Sequence, residues 1–134
     1  MRLFLDANVL FTAAHNPRGK AAFVLELAAE GHWQAVTSAL ALDEARRNLA
    51  RKFPECVERL DPLVAGVERV NAPPGSPCPV DLPEKDRPIL AAALRAGASH
   101  LLTGDRAHFG PHMNAPEKTG GVVVQTVADF LRSL

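Results

Sequence analysis

Residues 2–6 read RLFLD, and residues 99–105 read SHLLTGD. Each is a short apolar run that stops at or near a carboxylate. Runs of this length, apolar on both faces, suit strands covered on both sides of a sheet rather than amphipathic surface strands. Working outward from RLFL, an apolar stretch covers Val9–Ala14, and a turn follows at Asn16-Pro17. Residues 19–30 carry helical spacing with Gly31 as a natural stop, and Trp33–Thr37 reads as a second strand. Ser38 is placed to cap a helix running to about Phe53, and Pro54 opens a further amphipathic helix, PECVERLDPLVAGV. Val67–Val70 is a third strand candidate. Residues 71–83 hold five of the eleven prolines and read as a surface loop within the domain. Ile89–Ala98 is a helix, Ser99–Thr103 a fourth strand, Gly120–Gln125 a fifth, and Val127–Leu134 a closing helix. Short strands separated by helices predict a three-layer α/β/α sandwich around a mainly parallel sheet of four or five strands, with residues 1–134 as one domain.

In open sheets of this kind, sites form beyond the carboxyl ends of the strands. Asp6 and Asp105 follow two of the predicted strands directly. Each also has a structural reading. Asp6 can cap the helix that begins near Asn8, worth on the order of 1 kcal/mol, and Asp105 can cap a turn or short helix after Gly104. On a helical wheel Asp86 shares the apolar face of Leu90, Ala93 and Gly97, while Glu84, Lys85 and Arg87 point elsewhere. Pro88 requires the helix to begin near Asp86 or Arg87, so Asp86 can equally be its cap. Of the adjacent acids, Asp43 lies opposite the Ala41, Leu42, Ala45, Leu49 stripe and reads as solvated, whereas Glu44 lies at the stripe's edge and can reach a cleft. Both can instead pair with Arg46, Arg47, Arg51 or Lys52 on a solvated face.

Taken together, Asp6, Glu44, Asp86 and Asp105 make a sharper pattern. Two carboxylates about 4 Å apart repel by roughly 4 kcal/mol at an effective dielectric of 20, so four of them gathered at one sheet edge call for a cation. Oxygen donors without Cys or His suit a hard ion, Mg²⁺ or Mn²⁺. Such a site can activate water and stabilise a leaving oxygen in phosphodiester hydrolysis. Asn8 is placed to hold a carboxylate or a metal-bound water.

Composition sets limits. The 134 residues are 47% hydrophobic and 22% charged, and net charge is zero. That balance lends no support to a broad phosphate-binding surface, and the absence of Tyr beside one Trp and six Phe argues against a base-stacking platform. No apolar run approaches the roughly 20 residues of a membrane span, and the N-terminus meets an Asp too early for a signal peptide, so a cytoplasmic protein without a membrane partner is expected. Cys56 and Cys78 match no metal spacing and read as reduced thiols. His108 and His112 have i, i+4 spacing, but Gly110 and Pro111 between them oppose a zinc-binding helix; His108 reads as a loop residue, close in sequence to Asp105 and so to the border of the cleft. His15, His32 and His100 are isolated.

The segments LFLDANVL, TSALALDEARRNL, PEKDRPILAAALRAGASHLLTGDRAHF and VVVQTVADFL, in that order and spacing, resemble the PIN-domain family, especially stand-alone PIN proteins of the VapC toxin type. The resemblance covers almost the whole chain. It implies an α/β/α sandwich and a metal-dependent endoribonuclease. Asp6, Glu44, Asp86 and Asp105 fall at the family's four acids, and Asn8 and Thr103 at polar positions that support the site. It also implies an RNA substrate, an antitoxin partner and a homodimer. The proline-rich 71–83 loop departs from the compact toxin pattern. Two other classes remain in view. One is a PIN-like binding module without catalysis. The other is a phosphatase of the haloacid dehalogenase type, which also opens with an apolar strand and an Asp but carries a second Asp where this chain has Asn8.

Overall fold

A computed structural model describes all of residues 1–134. The strands β1 (Arg2–Leu5), β2 (Gln34–Thr37), β3 (Glu68–Arg69), β4 (His100–Leu102) and β5 (Val123–Gln125) form one sheet in the order β3-β2-β1-β4-β5. Every pairing is parallel. The helices are α1 (Ala7–His15), α2 (Lys20–Ala29), α3 (Ala39–Lys52), α4 (Leu60–Val64), α5 (Arg87–Arg95), α6 (Arg106–Phe109) and α7 (Val127–Arg132), with 3-10 turns at Pro54–Arg59 and Gly110–His112. The expected parallel sheet and three-layer α/β/α sandwich are both present. No helix is long and apolar enough to cross a membrane.

The order of the strands follows from the chain's route. From β1 it steps outward to β2 and β3, then returns across the sheet to β4 on the other side of β1 and continues to β5. Right-handed crossovers then put the outgoing and returning helices on opposite faces. Helix α1 packs against α2, α3 and α4, and α5 packs on β4. With both faces covered, the central strands lose their exposure: Leu3, Phe4, Leu5, Leu101 and Leu102 are fully buried. They belong to a core of 35 buried apolar residues that also holds Phe109 and Phe130.

Two elements differ from the sequence reading. Pro54–Val67 is not one helix but a 3-10 turn followed by the short α4. Pro62 has no N–H to continue a helix from the preceding turn and is tolerated only in the first turn of a new one. Helix α5 begins at Arg87, as Pro88 requires, but ends at Arg95 rather than Ala98. Gly97, with φ +64°, reverses the chain there, and the Ala98 N–H closes on the Ala93 carbonyl at 3.0 Å in a Schellman turn. The 71–83 segment carries no regular structure, yet it is anchored. Leu82 is buried in the core, and Asn71 Oδ1 accepts a 2.7 Å hydrogen bond from Ala39 N–H at the start of α3.

Phe4 sits at the centre of this arrangement, pairing with Val36 on one side and Leu101 on the other. Phe4→Ala is expected to lower the unfolding free energy by about 3–5 kcal/mol, seen as a reduced urea midpoint with an unchanged slope.

Candidate active site

The chain leaves β1 toward β2 and leaves β4 toward β5, so the adjacent carboxyl ends of β1 and β4 diverge. This is the switch point at which doubly wound sheets open a crevice. The ladder sets the register: Asp6 N–H donates to Leu102 O at 3.1 Å, and Thr103 N–H to Gln125 O at 3.0 Å. Asp6 and Thr103 are thereby side by side at the head of two hydrogen-bonded strands.

Both the capping and the cleft readings of Asp6 hold at once. Its Oδ1 accepts from the Ala7 N–H at 2.7 Å as N-cap of α1. Its Oδ2 accepts from Thr103 Oγ1 at 2.8 Å and from Asn8 Nδ2 at 3.4 Å. Asn8 Nδ2 also donates to Thr103 Oγ1 at 3.2 Å, and Asn8 Oδ1 accepts from the Gly104 N–H at 2.6 Å. The backbone of residue 104 lies so close that a Cβ there would stand 3.3 Å from Asn8 Oδ1, which is why glycine suits this strand exit. Thr103, fully buried, completes the set by accepting from the Asp105 N–H at 3.1 Å.

An open cleft of about 650 Å³ lies over these residues, lined by Asp6, Asn8, Glu44, Asp86 and Asp105 together with Lys20, Asn48 and Lys85. All four acids singled out from the sequence therefore meet in one cleft. Glu44 enters from α3 and makes no ion pair, whereas its neighbour Asp43 is exposed and bonds Arg47 at 2.9 Å, and Arg46 bonds Asp61 at 2.7 Å. Asp86 precedes α5 but makes no capping hydrogen bond; it is 8% exposed and faces the cleft. Asp105 caps α6 by accepting from the His108 N–H at 3.1 Å.

Three residues were missed or read otherwise in the sequence. His108 is not a loop residue. It lies in α6 and places Nδ1 2.8 Å from Asp86 Oδ2 and 2.9 Å from Asp105 Oδ2. The D-x-x-H spacing at 105–108 was the available signal, since residues three apart share a helix face. Lys85 lines the cleft although a helical wheel turns it away, because residues before Arg87 lie in a turn to which the wheel does not apply. Lys20, at the first turn of α2, reaches the same rim.

The electrostatics are those of crowded, partly desolvated acids. Asp6, 5% exposed, has its pKa pushed up to about 6, chiefly by burial; the hydrogen bonds from Thr103 and Ala7 oppose this, and the charges of Glu44 and Asp86 add to it. Burial also raises Asp86, the charge of His108 lowers it, and that of Asp105 raises it again. Asp86 Oδ2 and His108 Nδ1 are buried and, despite their closeness, off the line required for a hydrogen bond with each other or with any other group. A buried carboxylate oxygen without a donor is costly in an apolar surround. The donor atoms of Asp86, Asp105 and His108 all lie within 4.8 Å of one another, so these residues fit a divalent cation.

A parallel α/β sandwich with carboxylates converging at its switch point is the class that fold and site define. The PIN domain family profile matches residues 2–107, a span that includes all four acids, and the chain belongs to that family. A chain of the VapBC2 complex from Rickettsia felis, bound to a DNA fragment from their promoter, superposes with a TM-score of 0.65 at 15% identity, covering 94% of this chain and 98% of its own. A chain of VapBC-1 from nontypeable Haemophilus influenzae does so with a TM-score of 0.59 at 14% identity, covering 96% and 99% respectively. No curated protein sequence matches this one.

The raised pKa of Asp6 has a thermodynamic consequence. A carboxylate titrating at about 6 when folded and near 3.8 when unfolded holds its proton more tightly in the native state. Its contribution to stability is therefore complete below about pH 4 and is lost as pH rises toward 6, by on the order of 3 kcal/mol. In EDTA, Asp6→Asn is expected to be more stable than the unsubstituted protein at pH 7, with the difference shrinking toward pH 4 in parallel urea titrations. A difference that stays constant across that range would contradict the burial of an ionised Asp6.

Proposed function

We propose that this protein is a divalent-metal-dependent endoribonuclease that hydrolyses RNA phosphodiester bonds in the cytoplasm, and that it is the toxin of a toxin–antitoxin pair. The observation that carries the chemistry is the convergence of Asp6, Glu44, Asp86 and Asp105 on one cleft at the switch point of the sheet. Family membership supports the same reaction class, and the resemblance of the fold to chains of VapBC complexes supports an antitoxin partner; that the chain forms a homodimer is part of the same proposal.

Asp6, Glu44, Asp86 and Asp105 would hold Mg²⁺ or Mn²⁺. When bound, the ion supplies neutralising charge at phosphate oxygens and makes water a better nucleophile near neutral pH. The chain's own residues do the positioning. Asp6 is fixed by three donors, the Ala7 N–H, Thr103 Oγ1 and Asn8 Nδ2, so its oxygens need no reorganisation when a charge arrives. Lys20 and Lys85 stand on the rim outside any ion pair, where their ammonium groups can meet the phosphates of a bound strand. Asn8, bonded to Asp6, Thr103 and Gly104, works as an orienting amide and supplies no second carboxylate of the kind a phosphatase uses.

Purified protein is expected to cut RNA in Mg²⁺ or Mn²⁺ and to stop in EDTA. Asp6→Asn or Asp105→Asn should reduce the rate at least ~100-fold while circular dichroism stays unchanged, and Thr103→Val, which removes a supporting hydrogen bond, about 10–100-fold. RNA binding without cleavage in any divalent ion would identify a binding module instead, and acid-stable phosphate on Asp6 a phosphatase. Independently, expression of the protein alone should arrest growth, with relief when a neighbouring small gene is co-expressed. Harmless overproduction of active enzyme would remove the toxin role and leave the chemistry standing.

A further inference from the structure

We propose that His108 is a nitrogen ligand of the cleft's metal, joining Asp86 and Asp105, and that it shifts the site's preference from Mg²⁺ toward transition-metal dications such as Mn²⁺ and Co²⁺. This rests on the cleft being a metal site, and it adds a donor of a different chemical kind to the four acids.

The geometry is specific. His108 Nδ1 stands 2.8 Å from Asp86 Oδ2 and 2.9 Å from Asp105 Oδ2. Adjacent ligands of an octahedral ion with bonds of 2.0–2.1 Å are about 2.8–3.0 Å apart, so Nδ1 is spaced from each carboxylate oxygen as a neighbouring ligand in such a shell would be. A histidine retained only for packing would have its ring nitrogen satisfied by a hydrogen bond. Here Nδ1 and the Oδ2 of Asp86 are buried and, although they stand at ion-pair distance from each other, neither makes a well-aligned hydrogen bond; Asp86, more than nine-tenths buried, faces the cleft. Two buried donor atoms this close yet poorly aligned toward each other are a pair that a cation beside both would satisfy better than their own contact does. The arrangement is also built rather than incidental. Asp105 and His108 are locked to one helical turn by the bond from the His108 N–H to Asp105 Oδ1, and fully buried Phe109 pins that turn to the core.

The consequence for selectivity follows from donor hardness. Carboxylate oxygen suits Mg²⁺ and Mn²⁺ alike, while imidazole nitrogen is accepted better by first-row transition dications, Mn²⁺ least and Co²⁺ more, than by Mg²⁺. An all-oxygen site would discriminate weakly; one nitrogen separates the two classes.

The test is made on EDTA-stripped full-length protein without RNA, at a single pH. Pulsed electron paramagnetic resonance of the Mn²⁺-loaded protein should show ¹⁴N coupling from a directly bound imidazole, lost in His108→Ala. Calorimetric titration should find Mn²⁺ bound tighter than Mg²⁺. His108→Ala should weaken Mn²⁺ at least ~10-fold with Mg²⁺ changed less than threefold, and His108→Asp should restore binding of both ions without the preference. Absence of ¹⁴N coupling in the unsubstituted protein overturns the proposal whatever the variants do, as does a failure to bind Mn²⁺. So does tighter binding of both ions by His108→Ala, which would show the imidazole to be a competing counter-charge. Persistent nitrogen coupling in a protein that cuts no RNA would instead refute the nuclease reading and leave the ligand assignment intact.

Discussion

The hydrogen bond from Thr103 Oγ1 to Asp6 Oδ2, 2.8 Å long and wholly buried, ties the exits of β1 and β4 together at the place where the sheet changes direction. Much else depends on it. Asn8 reaches both of its partners, Gly104 closes on Asn8, and the Asp105 N–H turns back onto the same Thr103 oxygen. Removing Asp6 or Thr103 leaves the other's buried oxygen without its mate, and the local dielectric makes that more expensive than at the surface. The sheet supplies the register, and this network converts register into the position of two carboxylates.

That position is unfavourable for folding in itself. Burial works against the ionised form of Asp6 and of Asp86, and neighbouring acids add to the effect. The core of 35 buried apolar residues, drawn from every layer, offsets it. A fold that concentrates like charge in one cleft while its surface pairs them off, as Asp43 does with Arg47 and Asp61 with Arg46, has spent stability at a single place. Strain confined in this way is characteristic of sites poised for a ligand of opposite charge.

The sheet and its acids were legible because their signals are local. RLFL and SHLLT announce buried strands by composition, and an acid directly after such a strand can only stand at its carboxyl edge. Glu44 could be separated from Asp43 because α3 is a regular helix, where angular position means burial. Legibility failed wherever that regularity failed. Lys85 lies in a turn, so its angle on a wheel carried no information. Pro62 split a segment whose apolar spacing looked continuous. His108 was hidden by the Gly110-Pro111 pair, which rightly excluded a helix joining it to His112 but left room for the single turn Arg106–Phe109 that aims it at Asp86. Its partner lies 22 residues back in the chain, brought near by the crossover through α5, and no local pattern reports such a contact.

Zero net charge looked like an argument against a polyanionic substrate, and the cleft explains why it is a weak one. Affinity that depends on a broad basic surface scales with the number of phosphates neutralised and collapses in salt. Here the positive charge that matters is local. Lys20 and Lys85 stand at the rim, and under the proposed function a dication held by the acids would add positive charge at the floor. Two lysines and a metal-filled floor would reach only a short stretch of backbone. Binding should therefore be modest and only shallowly dependent on salt, with recognition left to the shape of the strand and to whatever a partner adds. On the proposed function, a protein of this charge would be suited to cutting a strand rather than to holding it.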